Sequence, residues 1–183
     1  MWNEHPKVYR TVCLSDEVFC LAYGSNLDVN RMRTRCPGAE IYGFSAIYGY
    51  RLLFKRSCTG CYATIEQDAN CCVPVGIYRI TVADELRLDR FEGFPKYYYK
   101  REFLLPVWNL DGRKLNKRRN CVVYVMHEDR ILGEPSEDYF HLLDYGYDYW
   151  GFDKNILYKA LEDSIGKDAA RQWLVDYSED DNE

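Results

Sequence analysis

The stretch VFCLAYGSNLDVNRMRTRCPG, residues 18–38, joins a strand pattern to a helix pattern through a short polar turn. Val18 to Tyr23 is short, apolar and rich in β-formers, so it predicts a buried strand. Gly24 interrupts that pattern, since glycine adopts turn conformations that other residues resist. Asp28 is suited to cap a short helix, which Pro37-Gly38 would end. The segment therefore predicts a strand, a polar turn and a helix in close succession.

Short strand and helix patterns continue along the rest of the chain. Strand patterns cover residues 41–47, 50–56, 62–66, 73–80, 98–108 and 121–126. Helix patterns cover residues 85–91, after a capping box at 81–84, and then about 135–145, 154–164 and 168–177. This order predicts an α+β fold whose sheet curls or closes. We expect a single domain, residues 1–183, with C-terminal helices over about 147–177 and an acidic tail over 178–183.

Composition and charge narrow the classes of partner. The 183 residues are 47% hydrophobic and 29% charged, with a net charge of −5, which is typical of a globular protein. Apolar runs fall far short of the roughly 20 residues that cross a bilayer, and residues 1–5 lack the layout of an export signal, so we expect a cytoplasmic protein without membrane partners. The basic cluster over 113–119 predicts a solvated turn and no nucleic-acid surface. The oligomeric state stays open.

The eight cysteines raise the possibility of a metal site. Cys58 and Cys61 form a C-x-x-C pair, and Cys71-Cys72 follows ten residues later. Adjacent cysteines on a strand point to opposite faces, which does not suit a zinc site. Reduced structural thiols are the favoured interpretation, so we expect no metal.

The turn at residues 24–26 has chemistry of its own. Backbone N–H groups, a hydroxyl and an amide at the end of a strand, leading into a helix, are suited to bind a carboxylate or another small anion. Most glycine turns bind nothing, so the residues alone leave both interpretations open.

Four motifs in a fixed order identify a protein family more specifically than the turn alone. They are Tyr23-Gly24-Ser25-Asn26-Leu27 with Arg31-Met32 and Arg35-Cys36-Pro37; Tyr62-Ala63-Thr64-Ile65 with Val75-Gly76-Ile77-Tyr78; Leu88-Asp89-Arg90-Phe91-Glu92-Gly93; and Tyr124-Val125-Met126 with Pro135-Ser136-Glu137-Asp138-Tyr139. In order and spacing they resemble the γ-glutamyl cyclotransferase-like family over roughly residues 19–146.

The resemblance implies a fold, a reaction and a set of residues. The fold would be a small closed or partly closed mixed β-barrel with flanking helices and a cavity at one end. The enzyme would release 5-oxoproline and a free amine from a γ-glutamyl amine or amino acid, without a cofactor. Glu92 would be the general base. The substrate-binding residues would be Tyr23, Gly24, Ser25, Asn26, Leu27, Tyr99 and Tyr139.

The position of Glu92 gives its assignment a physical basis. Glu92 directly precedes Gly93, the predicted helix stop, where exposed carbonyl dipoles raise the proton affinity of a carboxylate. The reaction needs a base, because an α-amine has a pKa of about 7.7 to 8.0 and is largely protonated near neutrality. His127 and His141 are alternative acid-base groups, but neither has a clear serine or cysteine partner in the sequence.

The sequence also allows two functions other than a cyclotransferase. A non-catalytic module could use the same pocket to sense or carry a small carboxylate, although Glu92 would weaken such binding. A zinc or redox protein could be built on Cys58, Cys61, Cys71 and Cys72. The bulky stretch over residues 94–99 replaces a glycine that the vertebrate-type enzymes commonly have, so the identity of the γ-glutamyl substrate is also open.

Overall fold

The computed structural model of the protein describes residues 16–180. The strands are β1 (Glu17–Ala22), β2 (Glu40–Arg56), β3 (Cys61–Thr81), β4 (Tyr98–Leu105) and β5 (Arg119–Met126). The α-helices are α1 (Val29–Arg35), α2 (Val82–Glu92), α3 (Glu137–Trp150), α4 (Lys154–Ile165) and α5 (Lys167–Asp180), and a 3-10 turn covers Ser25–Leu27. The expectations for residues 1–5 and for the end of the acidic tail lie outside the described residues.

The strands form one open, mixed sheet in the order β2-β3-β1-β5-β4. β1 pairs antiparallel with β3 and parallel with β5, while the β2–β3 and β4–β5 pairs are antiparallel. The α+β class with a mixed sheet and flanking helices is confirmed, and of the two expected forms, closed or partly closed, the closed one is wrong. Side chains separate the two edge strands: the rings of Tyr50 on β2 and Phe103 on β4 meet edge to face, with centroids 5.3 Å apart. The sheet therefore curls without joining its edges by backbone hydrogen bonds.

Two long strands replace four predicted short ones. β2 has 17 residues and β3 has 21, and they pair along nearly their whole length. A register shift between Tyr48 and Tyr50 absorbs the break in the β2 pattern, and Gly49 takes a φ of +78° there. Such a bulge bends a strand without ending it. β3 continues through residues 67–72, where Gln67 pairs with Tyr50 and Cys72 with Tyr48 on either side of the irregularity.

Local capping defines the helices next to the sheet. The Asp28 carboxylate accepts a hydrogen bond of 2.7 Å from the Arg31 N–H, which confirms the predicted N-cap of α1. Thr81 and Asp84 form the predicted capping box of α2, and Gly93 ends that helix with a φ of +66°. These caps place residue 92 at the last position of α2.

The C-terminal helices pack against the sheet and hold the first turn in place. α3 continues to Trp150, beyond the predicted end near residue 145, because Phe140, Leu143, Tyr147 and Trp150 form one buried stripe. The Trp150 indole Nε1 donates a 2.9 Å hydrogen bond to the Leu27 carbonyl. Within residues 16–180, no helix combines the length and apolar character needed to cross a membrane.

Candidate active site

A cavity of about 410 Å³ opens where β1 ends and the polar turn begins. Five parts of the chain line it: the end of β1 with its turn, α1, the β2–β3 connection, the end of α2, and tyrosines from the later elements. The lining residues are Leu21, Ala22, Tyr23, Gly24, Ser25, Asn26, Arg31, Arg35, Ser57, Cys58, Thr59, Tyr62, Ala63, Phe91, Glu92, Tyr97, Tyr98, Tyr124 and Tyr139.

Close packing explains the glycine of the turn. Gly24 has a φ of −117°, so the backbone does not need the left-handed conformation that favours glycine. A Cβ at this position would instead lie 3.2 Å from the Tyr139 hydroxyl oxygen and 3.5 Å from the Ala63 Cβ. Glycine therefore allows the turn to approach the tyrosine closely. The Leu27 N–H closes the turn with a 2.9 Å hydrogen bond to the Gly24 carbonyl.

The end of α2 and the turn meet through hydrogen-bonded side chains. The Asn26 Nδ2 donates to the Glu92 Oε1 over 3.0 Å. The Arg35 Nη1 donates both to the Asn26 Oδ1 and, over 3.1 Å, to the Ser25 Oγ. The guanidinium also lies over the Phe91 ring, with 3.6 Å between its central carbon and the ring centroid. Glu92, Asn26, Arg35 and Ser25 thus form one polar network in the cavity wall.

Glu92 binds its proton more strongly in this environment than an exposed glutamate does in water. Burial raises the pKa of the Glu92 carboxyl, while the Asn26 hydrogen bond and the Arg35 charge lower it in part. The direction agrees with the sequence-based expectation, although burial is the main cause. A carboxylate with a raised pKa is a better proton acceptor than an exposed glutamate.

Two predicted tyrosines lie in the cavity wall with their hydroxyl groups engaged. The Tyr23 hydroxyl donates a 2.6 Å hydrogen bond to the Tyr124 carbonyl, and the Tyr139 hydroxyl accepts one of 3.1 Å from the Ala63 N–H. Burial raises the pKa of both phenols, which therefore stay neutral at physiological pH.

Leu27 and Tyr99 lie outside the cavity lining, unlike the other predicted site residues. The Leu27 side chain is fully buried in the core. The Tyr99 hydroxyl bonds to the Glu128 carboxylate, whereas its neighbour Tyr98 lines the cavity. Successive residues of a strand face opposite sides, so only one of the two tyrosines can reach the cavity.

Arg35 had no predicted role and lies in the cavity wall, whereas the two histidines considered as alternative acid-base groups lie outside it. Arg35 belongs to the first motif, and its spacing of four from Arg31 places both on one face of α1, which was the available signal. His127 and His141 do not line the cavity; their rings bond to the Pro95 carbonyl and the Tyr177 hydroxyl.

The cysteines among residues 16–180 do not gather into a ligand set. Cys58 lines the cavity, while the Cys61 sulfur lies 2.6 Å from where a Cβ on Gly133 would be. In the part of the chain that the structure describes, no three His, Cys, Asp or Glu side chains form a group that could hold a metal ion.

The fold and the buried carboxylate define the class of protein: an α+β protein with a cavity between a strand-turn segment and the end of a helix. The chain belongs to the family described as gamma-glutamyl cyclotransferase, AIG2-like, whose model matches residues 20–145. The match includes both the turn and Glu92.

Solved structures of similar fold agree with the family. An uncharacterised Homo sapiens protein, loc79017, is 25% identical, with a TM-score of 0.66 over 79% of this chain and 86% of its own. A protein described as gamma-glutamyl cyclotransferase is 24% identical, with a TM-score of 0.67 over 86% of this chain and 99% of its own. A yeast gamma-glutamyl cyclotransferase described as specific to glutathione is 11% identical, with a TM-score of 0.54 over 76% and 90%. No curated protein matches the chain.

Proposed function

We propose that this protein is a γ-glutamyl cyclotransferase that converts a γ-glutamyl amine or γ-glutamyl amino acid into 5-oxoproline and the free amine, with Glu92 as general base. Family membership supports the reaction type. The observation that carries the proposal is the Glu92 carboxyl, which lines the cavity and is bonded to Asn26 of the turn. A proton acceptor thus lies beside the groups that suit a glutamyl substrate.

The substrate α-ammonium must lose two protons to become the ring N–H. Glu92 takes the first and passes it to water, so that the neutral amine can attack the γ-carbonyl carbon, and Glu92 takes the second as the new C–N bond of the ring forms. When the original γ C–N bond breaks, Glu92 returns the proton to the leaving nitrogen. Holding amine and carbonyl together contributes about 7 to 11 kcal/mol to lowering such a barrier.

The turn supplies groups that suit the substrate. Because the Leu27 N–H is bonded to the Gly24 carbonyl, the backbone donors proposed for the substrate carboxylate or carbonyl oxygen are those of residues 24–26. The Ser25 and Asn26 side chains already accept hydrogen bonds from Arg35. Tyr23 and Tyr139 form walls of the proposed substrate site, and Tyr98 takes the place first given to Tyr99.

The proposal is tested with a panel of γ-glutamyl amines and γ-glutamyl amino acids, with 5-oxoproline measured by mass spectrometry. We expect product from the unmodified protein and a rate about 10²- to 10⁴-fold lower for Glu92→Gln. The matched control is Glu102→Gln, which removes the same charge from an exposed position on β4 and should keep the rate. Thermal stabilisation by the ligands without any product would instead favour the non-catalytic binding module.

A further inference from the structure

We propose that Arg35 is a positioning residue that orients the Asn26 amide and thereby keeps Glu92 in the role of hydrogen-bond acceptor. The proposal rests on the proposed function only in that it takes Glu92 as the base. Arg35 itself has no place in the reaction steps, and it acts through Asn26 on a residue 57 positions further along the chain.

The argument begins with what each group can donate. A guanidinium has only N–H donors, so the Asn26 atom that faces Arg35 must be the carbonyl oxygen. The Asn26 NH₂ group then points the other way and donates to the Glu92 Oε1 over 3.0 Å. A group that receives a hydrogen bond there is favoured as a carboxylate, which is the form a general base requires.

Without Arg35 the same amide could take either orientation. A rotation of 180° would present the Asn26 oxygen to Glu92, where it could accept a hydrogen bond from a protonated carboxyl. The rotated amide would thus stabilise the acid form, which cannot accept the substrate proton. Arg35 excludes this state, because rotation would turn the Asn26 N–H donors toward its own donors.

Arg35 is itself held in a defined position. Its Nη1 also donates to the Ser25 Oγ over 3.1 Å, so the guanidinium spans two residues of the turn. Its face stacks on the Phe91 ring at 3.6 Å, which gives a cation–π contact. Phe91 directly precedes Glu92, so Arg35 contacts both the turn and the end of α2. A lysine would keep the charge but lose the planar contacts.

Two arginines, Arg31 and Arg35, line the cavity with Glu92, and of these Arg35 lowers the pKa of Glu92. The other titratable groups whose pKa responds to the charge of Glu92 lie on β1, on the residues directly after β1 and α1, on β4 and on α3, and they are Cys20, Tyr23, Cys36, Tyr98 and Tyr139. Burial raises the pKa of each, so each is neutral near pH 7. None of these groups would replace the charge lost with Arg35.

The experiment measures the Glu92 carboxyl directly, by ¹³C NMR of protein labelled at its glutamate carboxyls, with Glu92→Gln used to assign the signal. We expect the titration midpoint of Glu92 to move to higher pH in Arg35→Gln, and to a lesser extent in Arg35→Lys. The matched control is Arg33→Gln, which removes the same charge from the same helix outside the cavity and should leave the midpoint in place.

Kinetics provide a second measurement. In Arg35→Gln the acid limb of the kcat/KM profile should move in the same direction as the NMR midpoint, with kcat/KM about tenfold lower on that limb. The substitution should have no further effect in a Glu92→Gln background, because the two residues act as one unit.

The possible outcomes separate the two proposals. An unchanged NMR midpoint in a folded Arg35→Gln protein would overturn the positioning role, as would a fall in kcat without any move of the acid limb. A shifted midpoint in Arg35→Lys, which keeps the charge, in a protein that forms no 5-oxoproline from any substrate would support the role of Arg35 and overturn the proposed function. If Arg35→Gln does not fold, the proposal is tested with Arg35→Lys. If the titration midpoint of Glu92 and the kcat/KM profile are both unchanged in Arg35→Lys, the planar contacts of the guanidinium are not needed and the positioning role is overturned.

Discussion

Gly24 and Tyr139 should be energetically coupled, because the turn approaches the phenol more closely than a side chain allows. In Gly24→Ala the new methyl group would lie 3.2 Å from the Tyr139 hydroxyl oxygen, which is a few tenths of an ångström too close. The backbone at Gly24, with φ −117° and ψ −139°, lies outside the main allowed regions, but any cost of this for alanine is the same whether or not the Tyr139 hydroxyl is present. The contact itself must be relieved by a movement of Tyr139 or of the turn.

The magnitude follows from the hydrogen bond that such a movement disturbs. The Tyr139 hydroxyl accepts the Ala63 N–H over 3.1 Å, and a buried donor left without a partner costs about 1 to 3 kcal/mol. We expect Gly24→Ala to lower the free energy of unfolding by about 1 to 2 kcal/mol, and Tyr139→Phe by a similar amount. In the Tyr139→Phe background the oxygen is absent, so the cost of Gly24→Ala should fall by about 1 kcal/mol.

The assay is a double-mutant cycle measured by urea unfolding. The four proteins are the unmodified chain, the two single variants and the double variant, followed by tryptophan fluorescence. Tyr62→Phe is the control, because its hydroxyl bonds to the exposed Thr59 side chain and should change stability by less than about 0.5 kcal/mol. Single-variant effects that add up within about 0.5 kcal/mol would refute the close-contact explanation of Gly24.

Two further predictions concern the end of α2. Because the pKa of Glu92 is raised in the folded protein, the stability it contributes is present below the ordinary glutamate range and is lost as the pH rises through the folded pKa. Glu92→Gln should therefore be more stable than the unmodified protein near pH 8, with no advantage near pH 4, in urea unfolding across this range. Gly93→Ala should cost about 1 to 3 kcal/mol by the same method, since φ is +66° and the new Cβ would lie 2.5 Å from the Tyr97 ring. Gly112→Ala, with a φ of +77° and no atom within 4 Å, should cost only the backbone part, and an equal loss in both variants would contradict the contact with Tyr97.

Locally encoded features could be predicted from the sequence, whereas long-range register could not. The cap at Asp28 and the capping box at Thr81 depend on residues within three positions of each other. Residues 41–56 form one strand because they have a partner strand and a bulge at Gly49. An alternating pattern of apolar and polar residues predicts neither of these. The contact between the two edge strands likewise involves residues far apart in the sequence, the rings of Tyr50 and Phe103.

The site shows the same division at the level of single residues. The motifs indicated that the turn and Glu92 belong to one site, and the structure brings Asn26 and Glu92 into contact although 66 positions separate them. The choice between Tyr98 and Tyr99 depends on the parity of β4, which pairs Tyr98 with Met126 and could not be read from three consecutive tyrosines. Arg35 could be recognised in the sequence only as part of the first motif and as a basic residue four positions from Arg31 on a short helix. Its contacts with Asn26 and Phe91 exist because α1 and the end of α2 converge on the cavity, so its role is a property of the fold and not of any local pattern.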